Sequence, residues 1–140
     1  MDTARLWFAR IVMLYALLIF CYLAFVFILH PLENIERFGV SATGSTDFTA
    51  FLRVCVGGLF LGMAITAFYG LVVPARLVAA LWVIVLFDGC IVALRLLGIA
   101  IDGVTPLQLT ELRDEGVSWL FFVAALIAHP RTKPEFAASA

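Results

Sequence analysis

Residues 77–101 read LVAALWVIVLFDGCIVALRLLGIAI, an apolar run interrupted by one acid, Asp88, and one base, Arg95. As a helix rising about 1.5 Å per residue, it is long enough to cross the roughly 30 Å hydrocarbon core of a bilayer. Asp102-Gly103 ends it. Working outward, a second run extends from Phe51 to Val73 and stops at Pro74. A first run extends from Leu6 to Leu29 and stops at His30-Pro31. The last run has a clean apolar core only from Val117 to Ala128, ahead of His129-Pro130. That core is too short to span alone. Extending it back to Pro106 supplies the length, and proline suits a helix start because its missing N–H would be unpaired there anyway. The extension draws Glu111, Arg113, Asp114 and Glu115 into the first turns.

The predicted fold is therefore all-α, an integral membrane four-helix bundle in a single domain over residues 1–140. Its helices cover about 6–29, 51–73, 77–101 and 106–128. The short alternating segments of a membrane β-barrel are not seen. Composition agrees: 64% of the 140 residues are hydrophobic, 14% are charged and the mean hydropathy is +1.11. Soluble domains carry about 25% charged residues. A net charge of −1 gives no reason to expect nucleic acid as a partner.

Arg5 and Arg10 precede an uninterrupted apolar stretch in the manner of a signal peptide. The apolar stretch from Ile11 to Leu29 is longer than a signal core, and no small-x-small cleavage site follows, so a retained anchor is expected. Basic residues orient the bundle. Arg5 and Arg10, Arg76 in the second connection, and Arg131 and Lys133 in the tail 129–140 place both termini in the cytoplasm. The first and third connections, with outer loops 30–50 and 102–106, hold Arg37 and Arg113 but are dominated by Glu33, Glu36, Asp47, Asp102, Glu111 and Asp114, and face outward. The stretch Ser41 to Asp47 is turn-like, with Ser45, Thr46 or Asp47 able to cap the second helix.

Charges inside such a chain are costly and point to a site. Measured from the outer edge, Arg53 is shallow, Arg95 lies roughly 9 Å in, Glu111 roughly 7 Å and Glu115 roughly 13 Å. Glu111 and Glu115 share a helix face with Ser118. Arg95 can thus meet Glu111 or Glu115 across the third and fourth helices, with Arg53 as a second cation. Asp88 lies near the midplane, roughly 10 Å below Arg95. Ser118, Thr66 and Tyr15 lie at a similar depth, and their hydroxyls can support a buried carboxyl group without a counter-charge. Asp88 is accordingly read as a proton-sensitive group.

The simplest role for these residues is structural, as glue that fixes helix register. A ligand or ion pocket is the next reading, and proton-coupled transport the third. Gly57, Gly58 and Gly62 form Gly-Gly-Leu-Phe-Leu-Gly, in which the small-xxx-small spacing of Gly58 and Gly62 predicts close helix packing, within the bundle before a dimer contact. Cys21, Cys55 and Cys90 form no CxxC pair and read as small buried hydrophobes. His30 and His129 are isolated, so no metal site is expected, and no cofactor. Trp7 and Tyr69 suit the cytoplasmic interface. A phenylalanine-rich interior would accommodate a flat lipid-like molecule. Nucleophile elbow, phosphate loop and metal-binding helix are all absent, so no enzyme is expected. A lipid-modifying activity is kept only because acids and arginines coincide.

The order of features resembles a known family. It runs Pro31, Phe38-Gly39, Arg53 before Gly57-Gly58-Leu59-Phe60-Leu61-Gly62, Arg95 before Asp102-Gly103 and Pro106, then Glu115. From Leu6 to Ala128 this is similar to the bacterial membrane-protein family catalogued as domain of unknown function 4345, and more distantly to DoxX-like four-helix membrane proteins. The resemblance implies a four-helix, multi-pass protein of a bacterial cytoplasmic membrane and brings no activity with it. Asp88 has no counterpart in that pattern. The expected function is non-catalytic: an accessory subunit of a membrane complex, or a binder of a lipid-like molecule. Membrane lipid, a larger complex or further copies of the chain are the expected partners. The alternative is a small transporter, or a subunit of one, using Asp88.

Overall fold

A computed structural model describes residues 2–37 and 46–129. Phe38-Gly39, the turn-like residues 41–45 and the basic tail residues Arg131 and Lys133 lie outside the described residues. Helix is the only regular structure among those described. Helix α1 spans Asp2–Leu29 and α2 Pro31–Glu36. A second long segment comprises α3 (Thr46–Phe51), a π-helical turn (Leu52–Gly57) and α4 (Gly58–Val72). A 3₁₀ turn (Pro74–Arg76) leads into α5 (Leu77–Asp102), and α6 spans Pro106–Ala128. The segments Thr3–Leu29, Thr46–Val72 and Pro74–Asp102 are long and apolar enough to cross a membrane. Helix α6 is not among them, because Glu111, Arg113, Asp114 and Glu115 dilute its first half.

The helix ends follow from backbone chemistry. Pro31 disfavours helical geometry at the residue before it, and His30 adopts φ −126° and ψ 52°. Val73, ahead of Pro74, is likewise extended at φ −116° and ψ 92°. Gly103 ends α5 at φ +91°, where a side chain would be strained. At the start of α6, Thr105 and Gln108 form a reciprocal capping box, with both bonds at 3.1 Å. The connection expected over 30–50 instead contains α2 and the start of the second long helix, which begins at Thr46 rather than Phe51.

Side-chain pairs set the topology. Gly57 packs on Ile28 and Gly70 on Met13, so α4 runs antiparallel to α1. Trp119 packs on Gly89 and Glu115 bonds Arg95, so α6 runs antiparallel to α5. The contiguous core joins Met13, Ala16 and Phe20 of α1, Ala64 and Ala67 of α4, Leu81 and Ile84 of α5, and Phe122 and Ala125 of α6. Alanine at so many of these positions lets the backbones approach, which is how helices gain dispersion energy in lipid.

Two expectations are corrected. Among the described residues, nothing lies within 4 Å of the missing Cβ positions of Gly58 and Gly62, and both lie on the outer surface, so the small-residue face does not pack against the described helices. Gly57 does, because a Cβ there would stand 2.7 Å from Ile28 Cγ1. The three cysteines are exposed on the helix surface, not buried. An outward position costs a thiol little where the surroundings are apolar, so hydrophobicity alone could not assign them a face.

Among the described glycines, Gly70 has the tightest surroundings. A Cβ there would sit 2.6 Å from Ala80 Cβ. Gly70→Val should destabilise the protein by about 1–2 kcal/mol through overpacking, while Gly62→Ala should stay within about 0.5 kcal/mol. Reversible unfolding in SDS-titrated mixed micelles measures both. Equal effects would mean that α4 and α5 do not meet at Gly70.

Candidate functional site

Helix α5 carries Asp88 and, about two turns on, Arg95. Helix α6 faces it with Glu111, Glu115 and Ser118. Arg95 Nε and Nη2 donate to the two carboxylate oxygens of Glu115 in a bidentate pair. Its side chains are 23% and 20% exposed, so the pair is largely withdrawn from the surroundings. Glu111 is close enough to attract Arg95, but Glu115 takes the guanidinium fork. Of the two acids open to Arg95 from sequence, the helix register selects the deeper one. Trp119 fixes that register too, by donating its indole N–H to the Val85 carbonyl at 3.2 Å. Gly89 makes room for the ring, since a Cβ there would stand 2.9 Å from Trp119 Nε1.

Arg53 does not join this cluster. Its Nε donates to the carbonyl of Ile28 at 2.7 Å, near the C-terminus of α1. The last carbonyls of a helix lack internal partners and carry partial negative charge, so a guanidinium satisfies and stabilises them. The π-helical turn that holds Arg53 also brings Gly57 against Ile28. Arg53 thus clasps α1 to the second long helix. Depth alone grouped it with the acids.

The hydroxyls expected around Asp88 are engaged elsewhere. Thr66 donates to the Gly62 carbonyl of its own helix at 2.9 Å. Ser118 donates its single proton to the Asp114 carbonyl at 2.9 Å. Tyr15 must then be the donor in its 2.9 Å bond to Ser118 Oγ, which commits the phenol proton as well. Asp88 is only 6% exposed. Its Oδ2 is buried without a hydrogen-bond partner among the described residues.

Asp88 lines a cleft of about 670 Å³ between α1, α5 and α6, with Phe60 of α4 at one side. Tyr15, Phe20 and Phe122 contribute further rings, and Ile91 and Val117 aliphatic surface. The rings are mutually braced. Phe20 lies 6.3 Å from Phe60, Phe60 lies 5.8 Å from Phe27, and Tyr15 lies 6.1 Å from Phe122, all between centroids. Polar groups concentrate on the α6 wall. Glu115 is held by Arg95, and Asp114 by Arg113 at 2.8 Å. The size and the mixture of apolar wall with a few placed polar groups are those of a small-molecule site.

No family model, curated protein or solved structure matches this chain. The functional reading rests on the cleft itself. Among the described residues, no three histidine, cysteine, aspartate or glutamate side chains gather as metal ligands would. The site offers aromatic rings, aliphatic surface and one buried carboxyl group, Asp88, whose Oδ2 has no donor among the described residues.

Two of the lining rings, Phe20 and Phe122, and Trp119 lie outside the expectations drawn from the sequence. A tryptophan N–H in an apolar helix needs an acceptor, and that was a legible signal. Which helix supplies the acceptor depends on register between α5 and α6, which no local pattern encodes.

Proposed function

We propose that the chain is a four-helix protein of a bacterial cytoplasmic membrane that binds a small hydrophobic molecule without transforming it. Helix α6 serves as the fourth span, because pairing of Glu115 with Arg95 and of Asp114 with Arg113 reduces the cost of its acidic first half. Both termini lie in the cytoplasm, with Arg10 and Arg76 at that end. Arg10 stacks over the Trp7 ring, 5.7 Å from its centroid, an arrangement suited to the headgroup region. The observation that carries the binding function is the aromatic cleft of about 670 Å³ between α1, α5 and α6. A bundle held together only for its own sake gains dispersion energy by closing such a space.

Native mass spectrometry of protein extracted gently from its own membrane tests this. The wild type should carry a reproducible added mass, and Ile91→Trp, which fills the cleft from α5, should lose it. Spectra without a bound mass in either protein would refute the binding function. An assembly of fixed stoichiometry with another protein would make the chain an accessory subunit. The buried carboxyl group of Asp88 supports a second reading, transport. In that case Asp88→Asn should abolish flux of the bound molecule while leaving the protein folded.

A further inference from the structure

We infer that the cleft is selective for an organic cation, a protonated amine attached to an apolar body, with Asp88 as the counter-charge. The inference rests on the binding function proposed above and names its ligand class. Three observations converge on it. First, charge on the cleft wall is unbalanced. Glu115 and Asp114 are each bonded to an arginine, whereas Asp88 forms no ion pair among the described residues. Second, Asp88 lines the cleft, is only 6% exposed, and its Oδ2 has no hydrogen-bond partner among the described residues. The hydroxyl protons that lie nearest in depth are committed, Ser118 to a carbonyl, Thr66 to a carbonyl and Tyr15 to Ser118. The protein therefore supplies an acceptor and withholds the donor.

Third, the other walls suit a cation. Tyr15, Phe20, Phe60 and Phe122 all border the space. An aromatic face carries a negative quadrupole potential that attracts an ammonium group, most strongly where water is excluded. Aromatic rings alone would accept any apolar molecule, and a lone acid would bind a small inorganic cation as readily. Together they select a ligand with both a positive N–H donor and an apolar body. An anionic amphiphile such as a fatty acid meets Asp88 with like charge. A neutral alcohol can donate to the Asp88 carboxyl group but gains little from the rings.

The test uses the full chain in lipid nanodiscs at a pH of about 7, where an alkylamine is protonated. Three probes of matched shape are titrated by calorimetry against protein-free nanodiscs: 4-phenylbutylamine, 4-phenylbutan-1-ol and 4-phenylbutyrate. The amine should bind saturably and at least about tenfold more tightly than the alcohol, with the carboxylate weaker still. Asp88→Asn should reduce the amine's advantage over the alcohol to about threefold or less, and Phe60→Leu should weaken the amine more than the alcohol. Equal binding of all three probes would overturn cation selectivity and leave the hydrophobic site standing. Absence of saturable binding by any probe would overturn both. The comparison of probes on the wild type decides the matter even if a variant fails to fold.

Discussion

Glu115→Leu and Arg95→Leu should each destabilise the protein by roughly 3–5 kcal/mol, while the double replacement should cost much less than their sum. The reason is the asymmetry between a matched pair and a stranded charge. Arg95 and Glu115 satisfy one another through two parallel bonds in a largely buried setting. Removing either partner leaves an ion in surroundings that solvate it poorly. Removing both leaves two apolar side chains where α5 meets α6. Glu111→Gln should cost less than about 1 kcal/mol, since Glu111 attracts Arg95 without being its bonded partner. Unfolding in SDS-titrated mixed micelles gives the four free energies of the cycle. Additive single losses would mean that the two side chains are not in contact, and the assignment of register between α5 and α6 would fall with them.

Phe122→Ala should cost about 2–4 kcal/mol. Phe122 is 1% exposed and packs with the core of α1 and α5 on one side and the cleft on the other. In water such a truncation loses both transfer energy and packing. A helix released into lipid keeps its phenylalanine in hydrocarbon, so the transfer part largely disappears and the lost contacts remain. The expected cost therefore lies toward the lower end of the range for soluble cores. The same unfolding assay measures it, with Phe121→Ala as the control. Phe121 is 49% exposed on the neighbouring helix face, so its truncation removes few contacts within the protein. Equal losses at 121 and 122 would place the wrong face of α6 inward.

These expectations depend on different levels of the molecule. Helix ends were readable because they are local events. Pro31, Pro74 and Gly103 act on the backbone within one or two residues, and Pro106 was placed at a helix start by its missing N–H alone. The Thr105–Gln108 cap is equally local, with its threonine and glutamine at the spacing of a capping box. The π-helical turn at Leu52–Gly57 left no such mark. It answers to the end of α1, where Arg53 and Gly57 meet Ile28, and so it depends on a residue 25 positions earlier.

The polar residues divide in the same way. Helical depth brought Arg95 near both Glu111 and Glu115, because rise per residue is fixed by the backbone. It also placed Arg53 with them and set hydroxyls around Asp88. Those groupings failed because depth says nothing about the direction around a helix, nor about where a single hydroxyl proton is spent. Ser118 and Thr66 spend theirs on carbonyls within their own helices.

Alone, the amino-acid order determined that the chain is helical, that it has long segments able to cross a membrane, and where its helices stop; it pointed to four such segments, of which three are long and apolar enough. Those properties follow from the transfer energy of consecutive residues and from backbone constraints at proline and glycine. Only tertiary structure decided that Glu115 receives Arg95, that Gly57 and not Gly58 or Gly62 is packed, and that Asp88 lines an aromatic cleft with no donor to its Oδ2 among the described residues. Each of these depends on the rotation and register of one helix against another, which many weak packing contacts set jointly and no single stretch of sequence carries.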